Sequence, residues 1–149
     1  RSVLIPLKGV PLPTVTLQTD IHCVTRWSMF DTVWEGVRFR DFVELFGLTP
    51  EVRFVIAHCE NDYTTNVPLD IMLEENVLLA YKFGGEFLTP DHGFPLRTLI
   101  PSRYFWKSAK WLRALEFTRE DRPGFWEQAG YHNEGDPWKE ERLKQGSMF

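Results

Sequence analysis

The 149-residue sequence predicts an α+β domain, mostly antiparallel and mixed β-sheet with short helices, and three observations predict it. Apolar and polar positions alternate over short runs: Val15, Leu17 and Thr19 against Thr14, Thr16 and Gln18, and Trp111, Arg113, Leu115 and Phe117 against Leu112, Ala114, Glu116 and Thr118. Gly84-Gly85 separates the β-type runs Val77 to Phe83 and Glu86 to Leu88, which is the spacing of a tight hairpin. A stripe at helical spacing, Phe39, Phe42, Val43 and Phe46, is short.

Taken in order, Arg1 to Pro13 carries Pro6, Pro11 and Pro13 and reads as an extended lead-in. The first strand runs toward Asp20-Ile21-His22-Cys23, which puts Cys23 at its carboxyl end or in the loop after it, a common place for chemistry. Val24 to Val37 is rich in aromatic residues but has no steady period, so it reads as an ordered loop wrapped over a site. Arg40 to Phe46 is a short amphipathic helix with Gly47 as C-cap and Pro50 as stop. Val52 to His58 is a strand by its β-branched and aromatic content, and it delivers His58-Cys59 to the next loop. Pro68 opens a brief helix through Leu73. The hairpin leads into a turn, Asp91 to Pro95, then a β-type run, Leu96 to Pro101, and the last strand follows at Trp111 to Thr118. The aromatic residues Trp126, Tyr131 and Trp138 predict that the tail lies back across the domain, with residues 139–149 loose.

The length suits one domain with a real core. A formal net charge of −4 and a pI near 5.6 argue against a general nucleic-acid or membrane-surface binder. No apolar run reaches the roughly 18 to 20 residues of a membrane span. The chain begins at Arg1, so a removed leader or upstream segment is open, as is cytoplasmic or periplasmic placement. Two cysteines are too few for a disulfide framework; they form one bridge or act separately as buried thiols.

The chemistry concentrates between Asp91 and Trp111, where Arg103, Lys107, Ser108 and Lys110 stand among aromatic residues. This mixture suits a phosphate-bearing ligand, since Arg binds phosphate bidentately and Lys is a compact point charge. A solvated basic loop is the alternative. The two His-Cys dipeptides do not suit zinc, because adjacent strand residues face opposite ways and no ligand pair two to four residues apart exists. A nucleophilic cysteine with His22, His58 or His92 as base stays open.

Asp-His-Gly-Phe-Pro-Leu-Arg at 91–97, followed by Lys-Ser-Ala-Lys-Trp at 107–111, resembles the sulfite oxidase family of molybdopterin enzymes. The resemblance runs from about Asp20 to Trp138 and implies that family's molybdopterin-binding fold. It implies that His92, Arg97, Ser108, Ala109 and Lys110 hold the pterin and its phosphate. Lys107 departs from the eukaryotic members, which tend to have Arg there. The segment Asp20 to Gly36, with Trp27-Ser28 and Trp34-Glu35-Gly36 after Cys23, is similar to the one whose cysteine thiolate binds molybdenum, so Cys23 is the implied metal ligand; a thiolate is a soft ligand suited to such a metal. Cys59 falls at a position that contacts the cofactor. Tyr131, shortly after Phe125-Trp126, is the implied active-site tyrosine, with Arg26 and His132 as anion-facing neighbours.

The implied activity is two-electron oxygen-atom transfer on a small oxo compound such as sulfite or a sulfoxide, with Mo-molybdopterin as cofactor and a separate electron-transfer partner. Family members also carry an upstream segment that supplies further pterin contacts and, in sulfite oxidases, a substrate-binding arginine; this chain is expected to lack it. The rival readings are a cofactor-free remnant and a thiol-dependent enzyme using Cys23 or Cys59.

Overall fold

A computed structural model describes residues 12–23, 28–45 and 47–143. In chain order the elements are β1 (Thr14–His22), β2 (Ser28–Arg38), α1 (Phe39–Glu44), β3 (Phe54–Cys59), β4 (Thr64–Pro68), α2 (Leu69–Met72), β5 (Leu78–Phe83), β6 (Glu86–Phe87), β7 (Arg97–Leu99), β8 (Leu112–Thr118) and α3 (Phe125–Gln128). One sheet runs β1-β2-β5, with β6 and β7 sharing the other edge of β5; the second runs β4-β3-β8. Every ladder is antiparallel, and the helices are one or two turns long, as the α+β reading expects. No helix among the described residues is long and apolar enough to cross a membrane.

The core lies on both faces of the first half of β5, which explains the unbroken apolar run from Val77 to Ala80. Leu79 joins Phe39, Val43, Val55, Val67, Met72 and Ile100 on one side, while Leu78 and Ala80 join Ile21, Trp34, Leu88 and Leu99 on the other. A strand buried on both faces loses the polar alternation of a half-buried one. The hairpin forms as expected, with Gly84 at φ 61° and Gly85 at φ 84°, the left-handed pair that a two-residue primed turn requires. The predicted helix is present as α1, closed by Gly47, whose N–H donates to the Val43 carbonyl.

Three expectations need correction. The segment read as a loop over a site is largely β2, an eleven-residue strand that pairs with both β1 and β5. Its inward positions are Thr32, Trp34 and Gly36, which conceal the period of two; Gly36 is needed because a Cβ there would meet the Leu79 carbonyl oxygen at 2.2 Å. Residues 24–27 lie outside the described residues. Pro68 caps the brief helix expected there, α2, which closes on Leu73, but it also ends a strand, β4, that was not expected. The tail returns across the domain, but not as a loose end from residue 139: Tyr131 bridges Leu143, and the His132 N–H donates to the Arg142 carbonyl. Residues 144–149 are outside the described residues.

Candidate functional site

β1 ends at His22 and hands Cys23 to the mouth of a cleft of about 470 Å³. β7 and the segment after it contribute Arg97, Phe105, Trp106, Ser108, Lys110 and Trp111 to the same lining, and Tyr63, Trp126 and Tyr131 complete it. A cleft of this size suits a small ligand or cofactor, and most of its lining is aromatic.

Arg97 is the electrostatic centre. Its side chain is 1% exposed, and its guanidinium lies 4.5 Å from the Phe105 ring and 5.2 Å from the Trp34 ring. Nη1 donates to the His92 carbonyl, Nη2 to the Ser108 carbonyl, both at 3.0 Å, and Nε to the Thr98 carbonyl. These are neutral dipoles, so the buried charge lacks a carboxylate, and burial pushes its pKa down to about 10. Burying a cation without a counter-charge is costly, and a bound anion would offset that cost.

Lys110 adds a second cation beside the first. Its Nζ donates to the Asp91 carbonyl at 3.2 Å and lies 4.7 Å from the Trp111 ring. Burial, then the charge of Arg97, lower its pKa, while Asp91 acts the other way. Gly93, at φ 108°, fixes this contact: a Cβ there would come within 3.1 Å of the Lys110 side chain. Two like charges in one cleft, with no carboxylate among its described lining residues, favour an anion there.

The other residues singled out from the sequence divide sharply. Cys23, Arg97, Ser108, Lys110 and Tyr131 share the cleft. Ser108 contributes through its backbone carbonyl to Arg97, and its hydroxyl accepts the Ile100 N–H at 2.8 Å. Ala109 is buried behind the lining, with its N–H donating to Thr98 Oγ1 at 2.7 Å. Exposed His92 is outside the lining, its ring 6.0 Å from Phe83, and it serves Arg97 through its carbonyl. Cys59 sits one layer deeper, 5% exposed against Ala57 and Ala109. Burial pushes its thiol up to about 11 against the opposing charge of Arg97. His132 is turned aside, its Nδ1 accepting the N–H groups of Glu134 and Gly135, and Arg26 lies outside the described residues. Neither cysteine is in a disulfide.

The basic segment also needs correcting as a single anion site. Lys107 turns away from the cleft into a buried ion pair with Glu127 at 2.5 Å, and Arg103 faces Asp136 at 3.9 Å. Of the candidate histidine bases, His22 meets Ser28 Oγ at 2.8 Å and His58 meets Glu116 Oε1 at 2.8 Å. Sequence reasoning missed Tyr63, Phe105 and Trp106 as lining residues. The aromatic density around 104–111 was a signal for the last two, but nothing local marks Tyr63, whose hydroxyl donates to the Trp106 carbonyl at 2.7 Å.

A soft sulfur ligand, two cations and several aromatic side chains lining one cleft fit an anionic cofactor bearing a thiophilic metal. Comparison with known proteins agrees. Residues 6–126 match the oxidoreductase molybdopterin binding domain family. The oxidoreductase YuiH of Bacillus subtilis is 56% identical over 131 residues, 88% of this chain and 66% of that protein. A putative protein-methionine-sulfoxide reductase subunit, YedZ1 of Azospira oryzae, is 31% identical over 81% of the chain and 46% of its own length. A sulfite oxidase of Arabidopsis thaliana is 33% identical over 68% of the chain and 30% of its own length. The chain thus spans from under a third to about two thirds of these relatives. The fold is shared with the sulfane dehydrogenase SoxCD of Paracoccus pantotrophus, at a TM-score of 0.66 and 19% identity over 76% of this chain and 34% of that one. With 121 of its 149 residues inside the family match, the chain belongs to the oxidoreductase molybdopterin-binding family.

Proposed function

We propose that the cleft binds Mo-molybdopterin and that the protein is an oxidoreductase of the sulfite oxidase type, acting on a small oxo compound such as sulfite or a sulfoxide. One observation carries this reading: the Cys23 thiol lines the same cleft as the cations Arg97 and Lys110, with no carboxylate among the described lining residues. When bound, the cofactor supplies two-electron redox chemistry coupled to oxygen-atom transfer. The protein supplies binding, orientation and electrostatics.

In this assignment Cys23 is the protein ligand to the metal. Arg97 and Lys110 bind the anionic end of the cofactor, and the peptide groups of Ser108 and Ala109 shape its seat. His92 takes part by holding Arg97 through its carbonyl. Cys59 stiffens the floor beneath Tyr63, whose carbonyl accepts the Cys59 N–H at 2.9 Å. Tyr131 lines the same cleft as the thiol, and its phenol would hydrogen-bond a substrate oxygen or pass a proton. A separate protein would carry the electrons onward. The high pKa of Cys59 disfavours it as a thiolate nucleophile.

Protein purified from a host that makes the cofactor is expected to hold molybdenum and pterin in equal amounts and to give a Mo(V) paramagnetic signal on partial reduction. Cys23→Ser is expected to shift the molybdenum X-ray absorption edge and abolish turnover. An unchanged edge would remove Cys23 from the metal. Metal-free protein that reacts rapidly with iodoacetamide at neutral pH would favour the thiol enzyme.

A further inference from the structure

Glu127, Lys107, Thr65 and Asn66, none of which lines the cleft, form a second polar cluster. Glu127, on α3, is fully buried, and its Oε1 accepts three donors: Lys107 Nζ at 2.5 Å, Thr65 Oγ1 at 3.0 Å and Trp106 Nε1 at 3.1 Å. Its Oε2 is also buried and has no hydrogen-bond partner among the described residues. Lys107 Nζ continues the network to the Asn66 carbonyl at 2.8 Å, and Asn66 Nδ2 donates to Asp121 and Asn133.

Two of the three bonds to that oxygen reach the cleft's support, and the third, from Thr65, ties in strand β4. Trp106 is itself lining, and its ring lies 5.2 Å from Tyr131. Lys107 belongs to the turn that leads into Ser108 and Lys110. Glu127 is flanked by Trp126, another lining residue, whose carbonyl accepts the Tyr131 N–H at 3.0 Å. An ion pair this deep gives little net stability, because desolvation offsets attraction. A geometric role explains its presence better: three donors converging on one acceptor fix the 105–107 turn with its indole, strand β4 and helix α3 relative to one another.

We infer that Glu127 is a positioning residue, whose carboxylate sets the Trp106 indole and the Trp126–Tyr131 wall so that the cleft is preformed for its cofactor. The identity of what is bound rests on the reading above; the geometric part does not. Residues that orient a site from behind typically change metal affinity about 10–100-fold when substituted.

The test uses the full chain carrying Glu127→Gln, which keeps the shape and removes the charge, and Thr65→Val, which removes one donor. The indole N–H resonance of Trp106, identified by its loss in Trp106→Phe, is followed with that of Trp126 in two-dimensional NMR spectra. Molybdenum and pterin per chain are measured in parallel. In Glu127→Gln the Trp106 signal is expected to move upfield, the Trp126 signal to move with it, and cofactor content to fall about tenfold. Thr65→Val is expected to move both signals the same way by less. Should Glu127→Gln fail to fold, Thr65→Val alone decides. A Trp126 signal unmoved in the folded variants overturns the inference, as does wild-type cofactor retention by Glu127→Gln. Wild-type protein devoid of molybdopterin overturns the function proposed above instead, and the two indole signals still judge Glu127.

Discussion

Lys110 is the residue whose charge is most open to experiment. Burial and the neighbouring guanidinium hold its ammonium below the ordinary value of 10.5, so the folded protein releases that proton at a lower pH than the unfolded chain does. Below that lowered pKa the protonated lysine costs stability in full, and the cost fades as pH rises from it towards the unfolded value of 10.5. An anion in the cleft reverses the sign, because it stabilises the charged form. Binding of inorganic phosphate to cofactor-free protein is therefore expected to weaken as pH rises through the Lys110 pKa and, near it, to take up protons. Titration calorimetry in buffers of different ionisation enthalpy reads both effects. The sequence marked Arg97 and Lys110 because their motifs are contiguous and their chemistry is local. It gave Lys107 the same role, and that failed: its partner Glu127 lies twenty residues on and leaves no local trace.

At the scale of elements, the turn Phe105–Lys107, strand β4 and helix α3 behave as one unit tied by the Lys107–Glu127 pair. Removing one partner strands the other in the interior, so Lys107→Met is expected to cost about 3–5 kcal/mol in urea denaturation. The hairpin β5–β6 and helix α1 were readable because Gly84-Gly85 and Gly47 dictate backbone conformation directly. Strand β2 was not, since its core-facing positions include a threonine and a glycine. Thr32 is buried because its hydroxyl donates to the Thr19 carbonyl and accepts the Trp34 indole N–H. β4 escaped for a similar reason: Thr65 and Asn66 are polar yet fully buried, and their partners are supplied from beyond residue 100.

Across the whole molecule, the residues of the cleft are not held alike. Cys23 hangs from β1, the outermost strand of its sheet among the described residues, in which only Ile21 is buried. Arg97 starts β7, whose three residues are all buried against the centre of the fold. Amide protons of β1 are therefore expected to exchange with deuterium well before those of β7, since opening free energies follow burial. On the function proposed here, this inequality divides the labour of holding the cofactor. Arg97 and Lys110 would grip its charged tail from a foundation that is already set, while Cys23 would offer its sulfur to the metal from the more yielding edge of the sheet.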